Sequence, residues 1–129
     1  MPAHRILQLN ALSTAAAAIG MFAARDALHP LFGLDSPFLL DVLAAGFIVY
    51  AAALLTAAQR RPVSRRTLVA FTAADAIWVA GSGIVLLAFW SSLVPLARTL
   101  IIAVALIVEL FAALQFRAAR VGVRSPEAA

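Results

Sequence analysis

Four long apolar runs fill most of the chain, and polar residues are concentrated between them. The runs cover residues 6–24, 38–58, 68–90 and 96–116. At about 1.5 Å of rise per residue, each run is long enough as a helix to cross a hydrocarbon core of about 30 Å. The pattern therefore predicts an all-α protein, an antiparallel four-helix transmembrane bundle that occupies residues 1–129 as a single domain.

Composition supports a membrane protein with no separate soluble domain. The 129 residues are 64% hydrophobic and 12% charged, and the mean hydropathy is +1.00. Soluble domains are nearer to about half apolar and about a quarter charged. Cysteine does not occur in the chain, which excludes disulfides, thiolate metal sites and thiol catalysis.

The basic residues indicate how the chain is oriented in the membrane. All ten are arginine, and only Arg25 and Arg98 fall on one side of the predicted helices. The residues on the other side are Arg5, Arg60, Arg61, Arg65, Arg66, Arg117, Arg120 and Arg124. By the positive-inside rule, both termini and the 60–66 loop should therefore be cytoplasmic.

The sequence pI of about 11.4 raises the alternative of a nucleic-acid site. Because the arginines cluster at the helix ends, they are better explained as topology determinants, which also attract anionic lipid headgroups. The predicted partner is therefore the lipid bilayer, with no nucleic acid. Arginine in place of lysine, with abundant alanine, is typical of a GC-rich bacterial genome. The predicted location is accordingly the bacterial inner (plasma) membrane.

The first apolar run has a second interpretation. A basic start at His4 and Arg5, followed by an apolar stretch and small residues, also resembles a signal peptide. However, Met21 and Phe22 stand near the end of the run, where a cleavage site needs small side chains. A retained helix is therefore favoured, and cleavage stays open as the alternative.

Polar residues inside the runs fall into two layers. From the inner ends of the predicted helices, Asp75 and Glu109 are both roughly 10 Å deep, and Asn10 is about 6 Å deep. These three residues should form an inner polar layer. Near the outer ends, Asp41 and Arg98 match in depth. We predict that they form a structural ion pair, since each would neutralise the other and two helices would be joined.

The inner layer is the candidate site. It holds two acids and no base, and two close carboxylates in a low dielectric cannot both be ionised cheaply. One acid is therefore expected to carry a proton, as in membrane proton carriers. The ligand- or proton-binding candidates are Asp75, Glu109, Asn10 and Trp78, the last because its buried N–H needs a partner. The alternative is a structural layer in which a protonated acid bonds to its neighbours.

Other chemistry has little support in the sequence. His4 and His29 fall on opposite sides of the membrane, so they cannot share a metal or haem site within one bundle. Two carboxylates and one amide are few ligands for a hard cation. No hydrolase, nucleotide-binding or zinc-protease motif occurs. We predict a protein that is not an enzyme, with no catalytic residues, metal or cofactor.

Small residues follow one face of the first predicted helix. Ala16, Gly20 and Ala24 are spaced four apart, and Ala76 and Ala80 repeat this spacing in the third helix. Such spacing permits close helix packing in lipid. The contact could lie within the bundle, in a homodimer or in a larger membrane complex, and all three stay open.

Several segments carry a resemblance to a known group. They are Leu9-Asn10-Ala11-Leu12, Arg60-Arg61-Pro62, Ala74-Asp75-Ala76-Ile77-Trp78-Val79 and Leu106-Ile107-Val108-Glu109-Leu110. On these segments the chain resembles the small uncharacterised four-helix integral membrane proteins of bacteria, over nearly its full length. The resemblance implies a four-helix membrane fold and brings no activity with it.

Two functions fit these observations. The first is a multi-pass membrane protein that binds or transports a small molecule, lipid or ion through its buried carboxylate layer. The second is a non-catalytic accessory or structural subunit of a larger membrane complex. In the first case Asp75→Asn or Glu109→Gln should change binding or flux without preventing insertion. In the second case these substitutions should alter stability alone.

Overall fold

The computed structural model describes residues 1–124, with side chains as far as residue 121, and this part of the chain is helical. Its five helices are α1 (Ala3–Ala23), α2 (Arg25–Leu31), α3 (Phe38–Gln59), α4 (Arg65–Phe89) and α5 (Pro95–Arg124). Four of them, α1, α3, α4 and α5, are long and apolar enough to cross a membrane. The prediction of four apolar helices is therefore confirmed, and the fold is consistent with a multi-pass membrane protein.

The outer surface of the described chain is apolar, as a lipid environment requires. Leu87 is 86% exposed, Ile77 74% and Phe38 71%. In water, a continuous surface of such side chains would drive aggregation. Lipid tails are as apolar as these side chains, so the bilayer covers them without cost.

The short helix α2 was not predicted, because the loop after the first run was expected to be irregular around Pro30 and Gly33. Pro30 is tolerated since it is the last residue but one of α2, where only one backbone donor is lost. The helix ends in a Schellman motif, in which Gly33 N–H bonds to Pro30 O and Leu34 N–H bonds to His29 O, both at 3.0 Å. Gly33 has φ of 70°, which explains a glycine here.

Three helix boundaries differ by more than one residue from the predicted ones, and α1 begins at Ala3 rather than at residue 6. α4 begins at Arg65, three residues before the apolar run, because the Ser64 hydroxyl accepts a hydrogen bond from Thr67 N–H at 3.1 Å and caps the helix. α5 continues to Arg124, eight residues beyond the predicted end. Residues near 116 consequently lie two turns inside α5, deeper than the sequence alone indicated.

The four long helices pack as two pairs. α1 lies along α3 and α4 lies along α5, and the contacts between the pairs are fewer and run mainly between α1 and α5. One apolar cluster joins all four helices near one end of the bundle. It consists of Leu7, Ala11, Ala51, Leu54, Ala58, Leu68 and Ala119. The rest of the boundary between the two pairs is less closely packed, and the candidate site lies along it.

Candidate functional site

Each long helix contributes one polar side chain to a buried cluster. Asn10 comes from α1, Tyr50 from α3, Asp75 from α4 and Gln115 from α5. Each of the four lies seven to ten residues from one end of its helix, or roughly 10–15 Å along the axis. Asn10 is 3% exposed, Asp75 4% and Gln115 0%. We call these four residues the polar cluster.

The carboxyl group of Asp75 lies at the centre of the polar cluster. Its Oδ1 accepts a hydrogen bond from the Tyr50 hydroxyl at 2.7 Å. Its Oδ2 accepts one from Gln115 Nε2 at 2.8 Å and one from Asn10 Nδ2 at 3.1 Å. A buried carboxyl is stable in a membrane only with such partners, because an isolated charge at mid-span costs about 2.5–3.5 kcal/mol on insertion scales.

Asn10 takes part in two further hydrogen bonds besides the one to Asp75. Asn10 Nδ2 also donates to Gln115 Oε1 at 2.9 Å, and the Thr14 hydroxyl donates to Asn10 Oδ1 at 3.2 Å. Because Asn10 belongs to the α1–α3 pair and Gln115 and Asp75 to the α4–α5 pair, the Asn10 bonds cross between pairs. The polar cluster therefore joins the two pairs where helix packing is sparse.

Tyr50 has a second acceptor within reach. Its hydroxyl lies 3.4 Å from the backbone carbonyl of Phe71, one turn before Asp75 on α4. The Tyr50 and Phe71 rings also meet edge to face, with centroids 5.6 Å apart. Tyr50 can thus donate to either the carboxyl of Asp75 or the carbonyl of Phe71.

A cavity of about 350 Å³ lies against the polar cluster and between the helix pairs, and it is partly open to the outer surface of the bundle, where its lining residue Ile107 is 47% exposed. All four long helices line it. The lining residues are Asn10, Ser13, Thr14, Ala17, Phe47, Tyr50, Ala74, Asp75, Trp78, Val104, Ile107, Val108 and Phe111. The wall is therefore largely apolar and aromatic, with a few polar groups concentrated around Asp75. Pockets of this size and character hold small molecules in other proteins.

Trp78 supplies an aromatic ring to the cavity wall. Its ring meets that of Phe47 edge to face, with centroids 4.8 Å apart. Its Nε1–H is buried and has no hydrogen-bond partner within the described part of the chain. Because this N–H has almost no accessible surface, only the ring of Trp78 is open to a ligand in the cavity. No family model, curated protein or solved structure matches the chain.

The structure brings three of the four predicted candidates together. Asn10 and Asp75 are hydrogen-bonded, and Trp78 lines the same cavity. Glu109 is not part of the cluster and is exposed on the other side of α5. The predicted layer of Asn10, Asp75 and Glu109 is therefore corrected to one in which Gln115 takes the place of Glu109. Depth along the chain did not reveal which face of α5 turns inward.

The predicted Asp41–Arg98 ion pair is wrong. Asp41 pairs with Arg25, whose Nη2 lies 2.6 Å from Asp41 Oδ2. Arg98 donates from Nε to the carbonyl of Trp90 at 2.9 Å, and its guanidinium lies 4.3 Å from the Trp90 ring centroid. The two residues match in depth, but Asp41 belongs to the α1–α3 pair and Arg98 to the α4–α5 pair. Asp41 therefore pairs with a residue of α2, which connects α1 to α3, and Arg98 bonds to Trp90, which directly follows α4.

Sequence reasoning missed Tyr50 and Gln115. Tyr50 is the only tyrosine of the chain, and its position inside an apolar run was a signal that its hydroxyl needs a partner. Gln115 lies next to the end of the predicted run 96–116, where an amide is ordinarily solvated. Because α5 extends to Arg124, Gln115 is instead inside the span and fully buried.

Proposed function

We propose that the protein binds a small molecule within the membrane, in the cavity between its two helix pairs, with Asp75 as the principal polar contact. The observation that carries this proposal is the cavity of about 350 Å³ with a carboxyl group in its wall. Asn10 and Trp78 assist, Asn10 by holding Asp75 in place and Trp78 through its ring, which lines the cavity. Transport would follow if the cavity opened in turn to each side.

A purely structural polar cluster would not need this cavity. The hydrogen bonds of Asp75 are complete within the cluster, so the side chains beyond it could pack together and exclude any space. Instead, a volume of about 350 Å³ remains beside the carboxyl group, and apolar and aromatic side chains form most of its wall. A largely apolar cavity with a few polar groups at one place is typical of small-molecule binding sites.

The proposal includes the orientation in the membrane. We propose an antiparallel bundle in a bacterial inner membrane, with both termini and the α3–α4 loop in the cytoplasm. The distribution of arginine supports this orientation. The polar cluster supports the antiparallel arrangement alone, because its members lie near the start of α1 and α4 and near the end of α3 and α5.

The experiment that tests binding fills the cavity without disturbing the polar cluster. Ala17 lines the cavity, and its neighbour Ala16 is exposed on the outer face of α1. Native mass spectrometry of the protein released from mild detergent should detect a reproducible bound mass. We expect Ala17→Phe to lose it, since the ring occupies the cavity, and Ala16→Phe to keep it.

Either of two results would contradict this proposal. One is a bare protein with no bound mass in any mild detergent or after added extract of its own membranes. The other is a bound mass that Ala16→Phe and Ala17→Phe affect equally. The first result would show that the cavity holds no ligand, and the second would place whatever binds on the lipid-facing surface rather than in the cavity.

A second candidate function rests on the exposed face of α5. We propose as the alternative that α5 docks on a helix of another membrane subunit, so that the protein is a non-catalytic accessory component. Ile102, Leu106, Glu109 and Ala113 are all exposed and follow the alternating spacing of four and three residues that packs helices side by side. Glu109 lies near the middle of α5, where a carboxyl group facing lipid is costly. A partner helix would cover it.

A further inference from the structure

The charge of the cavity wall indicates the class of ligand. Of the residues that line the cavity in the described chain, Asp75 is the only one with an acidic or basic side chain other than the phenol of Tyr50. We infer that the ligand is a lipophilic organic cation with a single positive charge, and that Asp75 gives up a proton when the cation enters. This inference rests on the proposed binding function and names its ligand.

Aromatic rings strengthen the case for a cation. Phe47, Tyr50, Trp78 and Phe111 all line the cavity. The face of an aromatic ring attracts a cation, and tryptophan does so most strongly. A neutral or anionic ligand would gain nothing from this attraction, and an anion would also be repelled by an ionised Asp75.

The rest of the wall sets the shape and polarity of the ligand. Ala17, Val104, Ile107 and Val108 offer only apolar surface, which suits a hydrocarbon body. A single acid balances a single positive charge, and a second charge on the ligand would remain unpaired in a low dielectric. The volume of about 350 Å³ lies near the small end of the range for ligand pockets, so a compact cation fits best.

The hydrogen bonds of Asp75 allow both of its protonation states. When Asp75 is ionised, its oxygens accept from Asn10, Tyr50 and Gln115. When it is protonated, its O–H can donate to the oxygen of Tyr50, whose own hydroxyl can then donate to the Phe71 carbonyl. Neither state leaves a buried donor without an acceptor, which is the condition for a group that changes charge inside a membrane.

The exchange conserves the charge of the site. The O–H bond of Asp75 breaks, the proton leaves to water, and the ligand's positive charge takes its place beside the carboxylate. The groups that face Asp75 are Asn10 from α1, Tyr50 from α3 and Gln115 from α5, and Tyr50 alone among them is titratable. No other charged group in the described chain bonds to the cluster. A phenol gives up its proton far less readily than a carboxylic acid, so we assign the exchanged proton to Asp75.

A pair of matched probes tests the ligand class. Benzyltrimethylammonium and neopentylbenzene share one shape, but only the first is charged. The chain has two tryptophans, so Trp90→Phe leaves Trp78 as the sole tryptophan, whose selectively excited fluorescence reports on the cavity. Each probe is titrated into this variant in lipid nanodiscs, with concentrations expressed in the membrane phase and empty nanodiscs as the blank.

We expect the cation to change Trp78 fluorescence with saturation and to bind at least about tenfold more tightly than neopentylbenzene. Equal binding of the two probes would overturn the cation inference while leaving a cavity that binds small molecules. If neither probe saturates and the Ala17→Phe test also fails, the proposed binding function itself is wrong. The two failures are therefore distinguishable.

Substitution of two acidic residues provides a test variant and a matched control. Asp75→Asn should abolish the advantage of the cation over neopentylbenzene while neopentylbenzene still binds. Glu109→Gln makes the same chemical change on the exposed face of α5 and should leave both affinities unchanged. Equal losses in the two variants would show that the net charge of the protein, not Asp75, attracts the cation, and would overturn the inference.

Proton release provides a test that does not depend on whether Asp75→Asn folds. Calorimetric titration of the unaltered protein with benzyltrimethylammonium, in two buffers of different ionisation enthalpy, counts the protons released. We expect up to one proton per cation, none with neopentylbenzene, and an affinity for the cation that weakens by at most about tenfold per unit fall in pH. No release and no pH dependence between pH 5 and 9 would overturn the exchange.

Discussion

At the scale of the residue, the chemistry of this protein is concentrated in one carboxyl group. Asp75 receives three hydrogen bonds from three different helices, and its surroundings hold no cation within the described chain. Interhelical hydrogen bonds in membranes contribute on average about 0.6 kcal/mol each. The set is therefore of moderate strength, enough to position the carboxyl group but weak enough to rearrange when a ligand enters.

The contribution of Gln115 can be measured directly. Gln115 is fully buried, donates to Asp75 and accepts from Asn10. Gln115→Ala removes both bonds and leaves a small void, so we expect the free energy of unfolding in mixed detergent micelles to fall by about 1–3 kcal/mol. Gln59→Ala, at the exposed end of α3, should change it by less than about 0.5 kcal/mol. Equal effects of the two substitutions on the free energy of unfolding would show that Gln115 does not stabilise the protein through the polar cluster.

At the scale of the element, α5 has two different faces. Its inner face contributes Gln115 to the polar cluster and Ala119 to the apolar cluster. Its outer face carries Glu109 among exposed apolar side chains. The outer face is the feature that binding within the cavity does not explain, and it is the basis of the accessory-subunit alternative.

Glu109 distinguishes the two candidate functions. If α5 docks on another subunit, Glu109→Leu removes the polar contact of the interface. We then expect the mass of the complex in native membranes, measured by native electrophoresis, to fall to that of the single chain. Ile77→Leu on the exposed face of α4 is the control and should not change the mass. If Glu109→Leu also leaves the mass unchanged, or raises stability without dissociation, the docking role of α5 is wrong.

At the scale of the whole molecule, two helix pairs meet through one apolar cluster and one polar cluster. The boundary between the pairs is open elsewhere, and the cavity occupies it. A structure of two well-packed halves with sparse contact between them is suited to relative movement of the halves. The polar cluster would then bias that movement, because its bonds cross the boundary.

Topology is a prediction about the whole molecule, and the absence of cysteine makes it easy to test. Single-cysteine variants at Ser36, Ser91 and Gln59 place a thiol at exposed positions between or at the ends of the helices. With an impermeant maleimide on intact bacterial cells, Ser36→Cys and Ser91→Cys should label, and Gln59→Cys should label only after the membrane is disrupted. The reverse pattern would invert the orientation, and labelling of all three would contradict the span assignment.

The sequence by itself determined where the long helices lie and which polar residues they carry. Hydropathy and length are properties of each segment alone, so four spans could be read without knowing their neighbours. Matching depths also placed Asn10 and Asp75 in one layer, and the structure brings them within 3.1 Å.

Only the tertiary structure decided which side chains meet. A helix surrounded by lipid is apolar on nearly all faces, so no amphipathic pattern indicates how it is rotated about its axis. That rotation turns Gln115 inward and Glu109 outward on α5. The pairing of α1 with α3 and of α4 with α5 likewise separates Asp41 from Arg98. The cavity beside Asp75 exists because the two pairs do not close completely, which is a property of their packing and not of any one segment.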